Sequence, residues 1–175
     1  MEHLIEKAVW GIDKSHTSIN FSISHFMIAR VSGHFGDFEG TLIGSNDSFE
    51  SVDLTIRAAS INTNDVNRDN HLKTPDFFDV AQFPDIRFVS TSLEKISDNR
   101  YSIKGLLTVN GIEKPLTLDA TYAGAFEHPV YKKMIAVFEV NAEIPRLDFN
   151  IGANYPGAAL GEVVKLNSSM ELALQ

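Results

Sequence analysis

Three of the six histidines in this chain, His16, His25 and His34, recur nine residues apart. An odd spacing within a continuous strand puts neighbours on opposite faces, so the triplet is no ready-made metal site. Zinc would need them to converge with His71 and a carboxylate; the alternative is that each is satisfied by a backbone or carboxylate partner. The densest polar cluster is Arg68-Asp69-Asn70-His71. On a helix, Arg68 and His71 share a face at i and i+3. There they would grip an anionic or carbonyl headgroup, unless Arg68 and Asp69 serve to pin a helical insertion to a barrel wall. Asp148 with a histidine and a serine would make a hydrolase triad, yet the chain holds no Gly-x-Ser-x-Gly elbow to activate the serine. Phosphate-cradling glycine loops are missing too. What remains for an enzyme is His25 or His71 as general base beside Asp69 or Asp148, acting on an apolar substrate.

Composition narrows the field further. There is no cysteine, which removes disulfides, thiolate zinc sites, iron–sulfur clusters and cysteine nucleophiles together. Fifteen Lys+Arg against 23 Asp+Glu give a net charge of −8. Such a surface repels phosphate backbones and speaks against nucleic acid as a partner, and Lys132-Lys133 reads as a solvated turn. No stretch approaches the roughly 18 apolar residues that span a bilayer. The N-terminal Met1-Glu2-His3-Leu4-Ile5-Glu6-Lys7 has neither the basic nor the apolar region of a secretory signal. The chain therefore reads as cytoplasmic, or periplasmic if a signal has been removed. At 175 residues with 43% apolar content it is one domain, residues 1–175, with a sizeable core.

The elements that must position these groups are strands. Ile19, Phe21 and Ile23 alternate with polar residues, as do Val52, Leu54, Ile56 and Ala58. Ile86 and Phe88 open a further run. Tyr101, Ile103, Leu107 and Val109 share a face interrupted by Gly105, which marks a bend or bulge. Leu116, Leu118, Ala120 and Tyr122 follow, then Phe138, Val140, Ala142 and Ile144, and last Val164, Leu166, Met170 and Leu172. Asn110-Gly111 is a type I′ hairpin signal, with Asp98-Asn99 and Asn46-Asp47 as weaker ones. About eight strands of this regularity make a sandwich or a barrel.

Between Ile61 and Pro84 the alternation stops. Residues 62–72 read as a short helix capped by Thr63 or Asn62, and Thr74-Pro75 reads as the cap and first residue of a second turn. Phe77, Phe78 and Phe83 make the insertion aromatic on one side, which suits a lid over a barrel end. The inward faces admit two readings, a filled core, which would make the chain an interaction module acting through a dimer or partner surface, or an elongated slot for one small ligand. The 12 phenylalanines supply large rigid rings for the walls of such a slot.

Particular residues carry a resemblance. Trp10-x-Ile12-Asp13-x-x-His16-x-x-Ile19-x-Phe21-x-Ile23-x-His25 and Val31-x-Gly33-x-Phe35-x-x-Phe38-x-Gly40 resemble the opening of the YceI-like proteins, the lipocalin-like polyisoprenoid-binding proteins. Ser60-Ile61-x-Thr63, Arg68-Asp69-x-His71-Leu72 and Phe77-Phe78-Asp79-Val80-x-x-Phe83-Pro84-x-Ile86-x-Phe88 are similar to that family's most specific stretch, and Gly105-x-Leu107-Thr108-Val109-x-Gly111 and Arg146-x-Asp148-Phe149 to its later signatures. The resemblance implies an all-β, eight-stranded antiparallel lipocalin-like barrel with a short helical insertion near residues 62–80, usually a homodimer. It further implies a channel that holds an isoprenoid quinone, polyprenyl chain, fatty acid or similar lipid, with a role in binding, storage or transport, no established reaction and no required cofactor. One departure is Asn150, where the family usually has glycine; the loop Asn154-Tyr155-Pro156-Gly157 would then shape the channel mouth differently. By alternation the channel is lined by Ile19, Phe21, Ile23, Phe88, Phe138, Val140 and Leu166, with Phe77 and Phe78 added by the insertion. His25, Arg68, His71 and Arg146 are the candidates for its polar end.

Overall fold

The structure is a computed structural model that describes residues 7–45 and 48–175. The weak Asn46-Asp47 turn signal and the N-terminal stretch 1–6, with His3, lie outside the described residues. The chain runs β1 (Ala8–Ile12), β2 (Ser18–His25), β3 (Ala29–Phe35), β4 (Phe38–Ser45), β5 (Ser48–Arg57), β6 (Ile61–Asn62), α1 (Val66–Leu72), β7 (Asp85–Lys95), β8 (Arg100–Val109), β9 (Ile112–Glu127), β10 (Met134–Pro145) and β11 (Val163–Leu174).

β1 and β2 are two halves of one bent strand, and both pair with β11. β3 and β4 are likewise halves of the next strand, pairing with β2 and β1. Sequential antiparallel neighbours then continue through β5, β7, β8, β9 and β10 to β11. Because β11 returns to β1 and β2, the sheet closes as an eight-stranded up-and-down barrel, and closure removes the exposed edges an open sheet would carry. The bend between β1 and β2 is fixed to β11. Asp13 N–H donates to the Glu171 carbonyl (2.8 Å), and the Thr17 hydroxyl accepts from Glu171 N–H (3.0 Å). Asp13 also meets His16 Nδ1 (2.9 Å).

The turn chemistry explains two junctions. Asn110 and Gly111 both sit at positive φ, 53° and 71°, as a type I′ turn demands. Gly105 faces a register shift in β7 between Ser90 and Ser92: the bulge belongs to the partner strand. A Cβ at Gly105 would lie 2.5 Å from both the Phe88 ring and the Val89 carbonyl, so only glycine admits this crossing.

The insertion is shorter and differently capped than the sequence suggests. α1 begins at Val66, and its cap is Asp65, whose side chain accepts from Arg68 N–H (3.0 Å). Thr63, buried at 4% exposure, is instead committed to Asp69. Thr74-Pro75 starts no helix. The Thr74 hydroxyl donates back to the His71 carbonyl (2.7 Å), and its own carbonyl accepts from Phe77 and Asp79 N–H, so the chain makes successive turns rather than a helix.

Candidate functional site: an apolar cavity under the helical insertion

The barrel interior divides into two halves with different contents. Towards the β4–β5 end, Phe49 packs edge-on against Tyr101, Tyr122 and Phe138, with ring centroids 5.3, 5.7 and 5.2 Å away. Phe49, Tyr101 and Phe138 belong to the buried core with Trp10 and Leu42, the half-buried Tyr122 packs against it, and together they form a floor. The other half holds a cavity of about 410 Å³. Filled core and slot, the two readings of the alternation, each describe one half.

Phe138 is therefore misplaced as a channel residue. It shares an inward face with Val140, but two residues carry it about 7 Å along the strand and into the floor. The cavity is lined from β2 by Ile19, Phe21, Ile23 and His25, from β7 by Ile86 and Phe88, from β10 by Val140, and from β11 by Leu166. The insertion contributes Thr63, Arg68, His71, Leu72, Phe77 and Phe78. Phe78 meets Phe35 edge-on at 5.9 Å, and Phe77 stacks on Tyr155 at 5.3 Å. Phe83 turns away and sits under Gly111. Asn110, besides making its turn, donates from Nδ2 to the carbonyls of Phe77 (2.6 Å) and Phe149 (3.0 Å), which ties the lid to the wall below it.

Arg146 reaches the cavity wall but offers nothing to a guest. Its side chain is wholly buried, and every guanidinium donor is spent. Nε donates to the Gly161 carbonyl (2.7 Å), Nη1 to those of Ile151 (3.0 Å) and Gly152 (2.6 Å), and Nη2 to those of Tyr155 (2.8 Å) and Leu160 (2.9 Å). Five donors meet five carbonyls, the full capacity of the group. Desolvation pulls its pKa below the ordinary range, with Glu162 pulling the other way; arginine nonetheless stays a cation. Its work is to hold the loop 151–161 in shape. That loop lies along β2: Phe26 N–H donates to the Ala159 carbonyl (3.0 Å), Gly161 N–H to that of Ser24 (2.9 Å), and His25 makes a bridge with Leu160.

The Arg68 cluster is tied down within the insertion itself, through Thr63, while Arg68 still lines the cavity. Arg68 Nε donates to the Thr63 hydroxyl (2.8 Å) and Nη2 to the Thr63 carbonyl (2.7 Å). Asp69 accepts from the N–H and the hydroxyl of the same threonine (2.8 and 2.6 Å). His71 does not meet Asp69. Its Nε2 lies 2.9 Å from Asp76 Oδ2 and 3.3 Å from the Tyr155 hydroxyl, so a His71–Asp76–Tyr155 group forms the polar rim. Asp76 and Tyr155 lie in no patterned element, so the sequence carries no signal of their role beyond the unusual loop after Phe149. Asp148 is exposed, and among the described residues no histidine bonds to it.

Away from the cavity, His16, Asp13 and Glu171 converge at the β1–β2 bend, rather than His16 with His25 and His34. Asp13 raises the His16 pKa above its ordinary value by hydrogen bond and charge, and His16 holds the Asp13 carboxyl low in return. Each group is accounted for as a clasp on the bend.

Residues 10–172 match the YceI-like domain family. Protein YceI of Salmonella newport is 40% identical over 148 residues, covering 82% of this chain and 76% of that one. Among solved structures, the Campylobacter jejuni YceI protein superposes with a TM-score of 0.80 at 33% identity, over 93% of this chain and 96% of its own. A polyisoprenoid binding domain from Saccharophagus degradans, implicated in plant cell wall breakdown, matches with a TM-score of 0.69 over 95% and 98%. At 12% identity that last likeness is one of fold.

Proposed function

We infer from one premise, that this chain belongs to the YceI-like domain family, and from one observation, the apolar cavity closed over by the insertion, that it binds a long apolar lipid of the isoprenoid type. The cavity carries the reading. Its volume of about 410 Å³ falls within the usual range for small-molecule sites, and its walls are predominantly aliphatic and aromatic side chains. Each methylene transferred from water into such a wall contributes about 0.8 kcal/mol, so a tail is held without any charged contact. The Saccharophagus degradans relative, named as polyisoprenoid binding, supports the isoprenoid class, and the rim of His71, Asp76 and Tyr155 suits a head with one or two hydrogen-bonding oxygens, such as an alcohol or a quinone.

The role is binding or carriage without turnover. The described residues lining the cavity include no serine, cysteine, lysine or carboxylate to act as nucleophile or acid beside His25 or His71, which supports that reading. The test is an organic extract of the full chain purified without detergent, analysed by mass spectrometry, alongside titration with all-trans-retinol as a fluorescent isoprenoid probe. An extractable isoprenoid or acyl compound together with saturable retinol binding is expected. Empty extracts and no retinol binding would overturn the reading, and turnover abolished by His71→Ala in a folded variant would replace it with an enzymatic one.

A further inference from the structure

The β2–β3 hairpin ends in Phe26-Met27-Ile28, a three-residue tip of large apolar side chains that are 62%, 79% and 96% exposed. Burial fails to explain them, and so does backbone preference. Phe26 and Met27 both adopt left-handed conformations, φ 48° and 66°, where glycine, asparagine and aspartate are the ordinary occupants. A tip that breaks two local rules at once marks a functional position. It is also placed at the cavity. Phe26 is a lining residue, its ring lies 4.3 Å from that of His25, and its N–H is bonded to the loop that Arg146 holds.

We propose that this tip inserts into a lipid bilayer and seats the cavity mouth on the membrane. The alternative occupant, a second copy of this chain, is disfavoured by size: three such side chains offer on the order of 400 Å², well short of the roughly 800 Å² per partner that a stable complex buries. A bilayer needs no matching surface, only apolar depth. Arg30 stands opposite Ser24, a step below the tip, and its Nη1 donates to the outward Ser22 hydroxyl (3.0 Å), the level at which a cation meets headgroup phosphates while the apolar tip goes deeper. The net charge of −8 opposes anionic lipid at long range, so the contact is apolar in origin and suits a zwitterionic surface. The purpose of the contact rests on the lipid-binding reading above, since a seated mouth joins the cavity to the membrane interior without crossing water. The contact itself depends only on the tip.

The experiment is flotation of the full chain with phosphatidylcholine vesicles on a density gradient, comparing the parent with Met27→Asp/Ile28→Asp and with Ile28→Asp alone. Neither residue lines the cavity, and aspartate tolerates the left-handed backbone at position 27, so both variants keep retinol binding. The parent floats, the double variant's partitioning falls by about two orders of magnitude, the single variant lies between, and added salt changes none of this. A parent that does not float, or variants that float equally, would overturn the proposal. So would sedimentation showing a parent dimer that the double variant dissolves, with no flotation, which assigns the tip to a second copy. Flotation lost in the variants while no protein binds retinol leaves the docking standing and removes the lipid-binding reading instead.

Discussion

Replacing Arg146 with methionine keeps the volume of the side chain and deletes all five donors at once. The five carbonyls then differ in what they can find. Those of Ile151 and Gly152 belong to buried residues, whereas Tyr155, Leu160 and Gly161 are half-buried and can turn to water. Gly152 keeps the Tyr155 N–H at 3.0 Å, so Ile151 is the enclosed acceptor left without a partner, at about 1–3 kcal/mol, and the other carbonyls each lose a bond worth about 0.5–1.5 kcal/mol. Deleting a buried cation recovers part of its desolvation cost, so the net loss comes to about 3 kcal/mol. For a chain of this size that is a fall in melting temperature of about 10 °C. Arg146→Lys, with three donors and no planar fork, loses roughly half as much. The spatial signature separates this from a general core defect. The amides of Phe26 and Gly161, which bond the loop to β2, exchange with solvent about 100-fold faster in the methionine variant, while amides of β8 and β9 change by the global amount only. Thermal melting and residue-resolved hydrogen exchange read both quantities. A methionine variant within about 1 kcal/mol of the parent, with unchanged exchange at Phe26 and Gly161, refutes the clamp.

Other outcomes follow from single contacts. Phe138→Ala opens the aromatic floor and costs about 3–5 kcal/mol by denaturant unfolding, yet it leaves retinol affinity within about threefold, because the residue is outside the cavity; a selective loss of binding would contradict the division of the barrel. Ser168 is wholly buried and its hydroxyl has no partner, so Ser168→Ala raises the melting temperature by about 2–4 °C, and a lower one would mean the hydroxyl is satisfied. Because the folded pKa of His16 is raised, its contact with Asp13 stabilises fully below the ordinary histidine value and fades as pH rises through the elevated one. Proton NMR should place the His16 midpoint above about 6.5, returning towards it in Asp13→Asn; equal midpoints in the two proteins would dismiss the clasp.

Alternation reported inward and outward facing faithfully, from Ile19, Phe21 and Ile23 on β2 to Leu166 and Leu172 on β11, because the pleat has a period of two whatever the fold. Depth along the axis has no such signature. Phe138 and Val140 look equivalent in the sequence, and only the stagger between strands sends one to the floor and the other to the cavity. For Arg146, a candidate for the polar end, the clamp role is illegible for a different reason: its partners are backbone carbonyls, which every residue carries, so nothing in the side-chain pattern announces them. Arg68 shows the converse: a structural role is open from Arg68 and Asp69 in the sequence, whereas their partner Thr63 reads there as a cap. The cap at Asp65 was missed because Asn62, Thr63, Asn64 and Asp65 are all competent caps, and the choice among them is made by Asp69 drawing Thr63 away. Asn110-Gly111 was legible outright, as the turn type depends on those two residues alone.

The floor of Phe49, Tyr101, Tyr122 and Phe138 makes the barrel a blind well rather than a pipe. Any chain-shaped guest can go in by one route only, tail foremost, and must back out the same way. Its polar terminus is therefore the last part to enter and the first to leave.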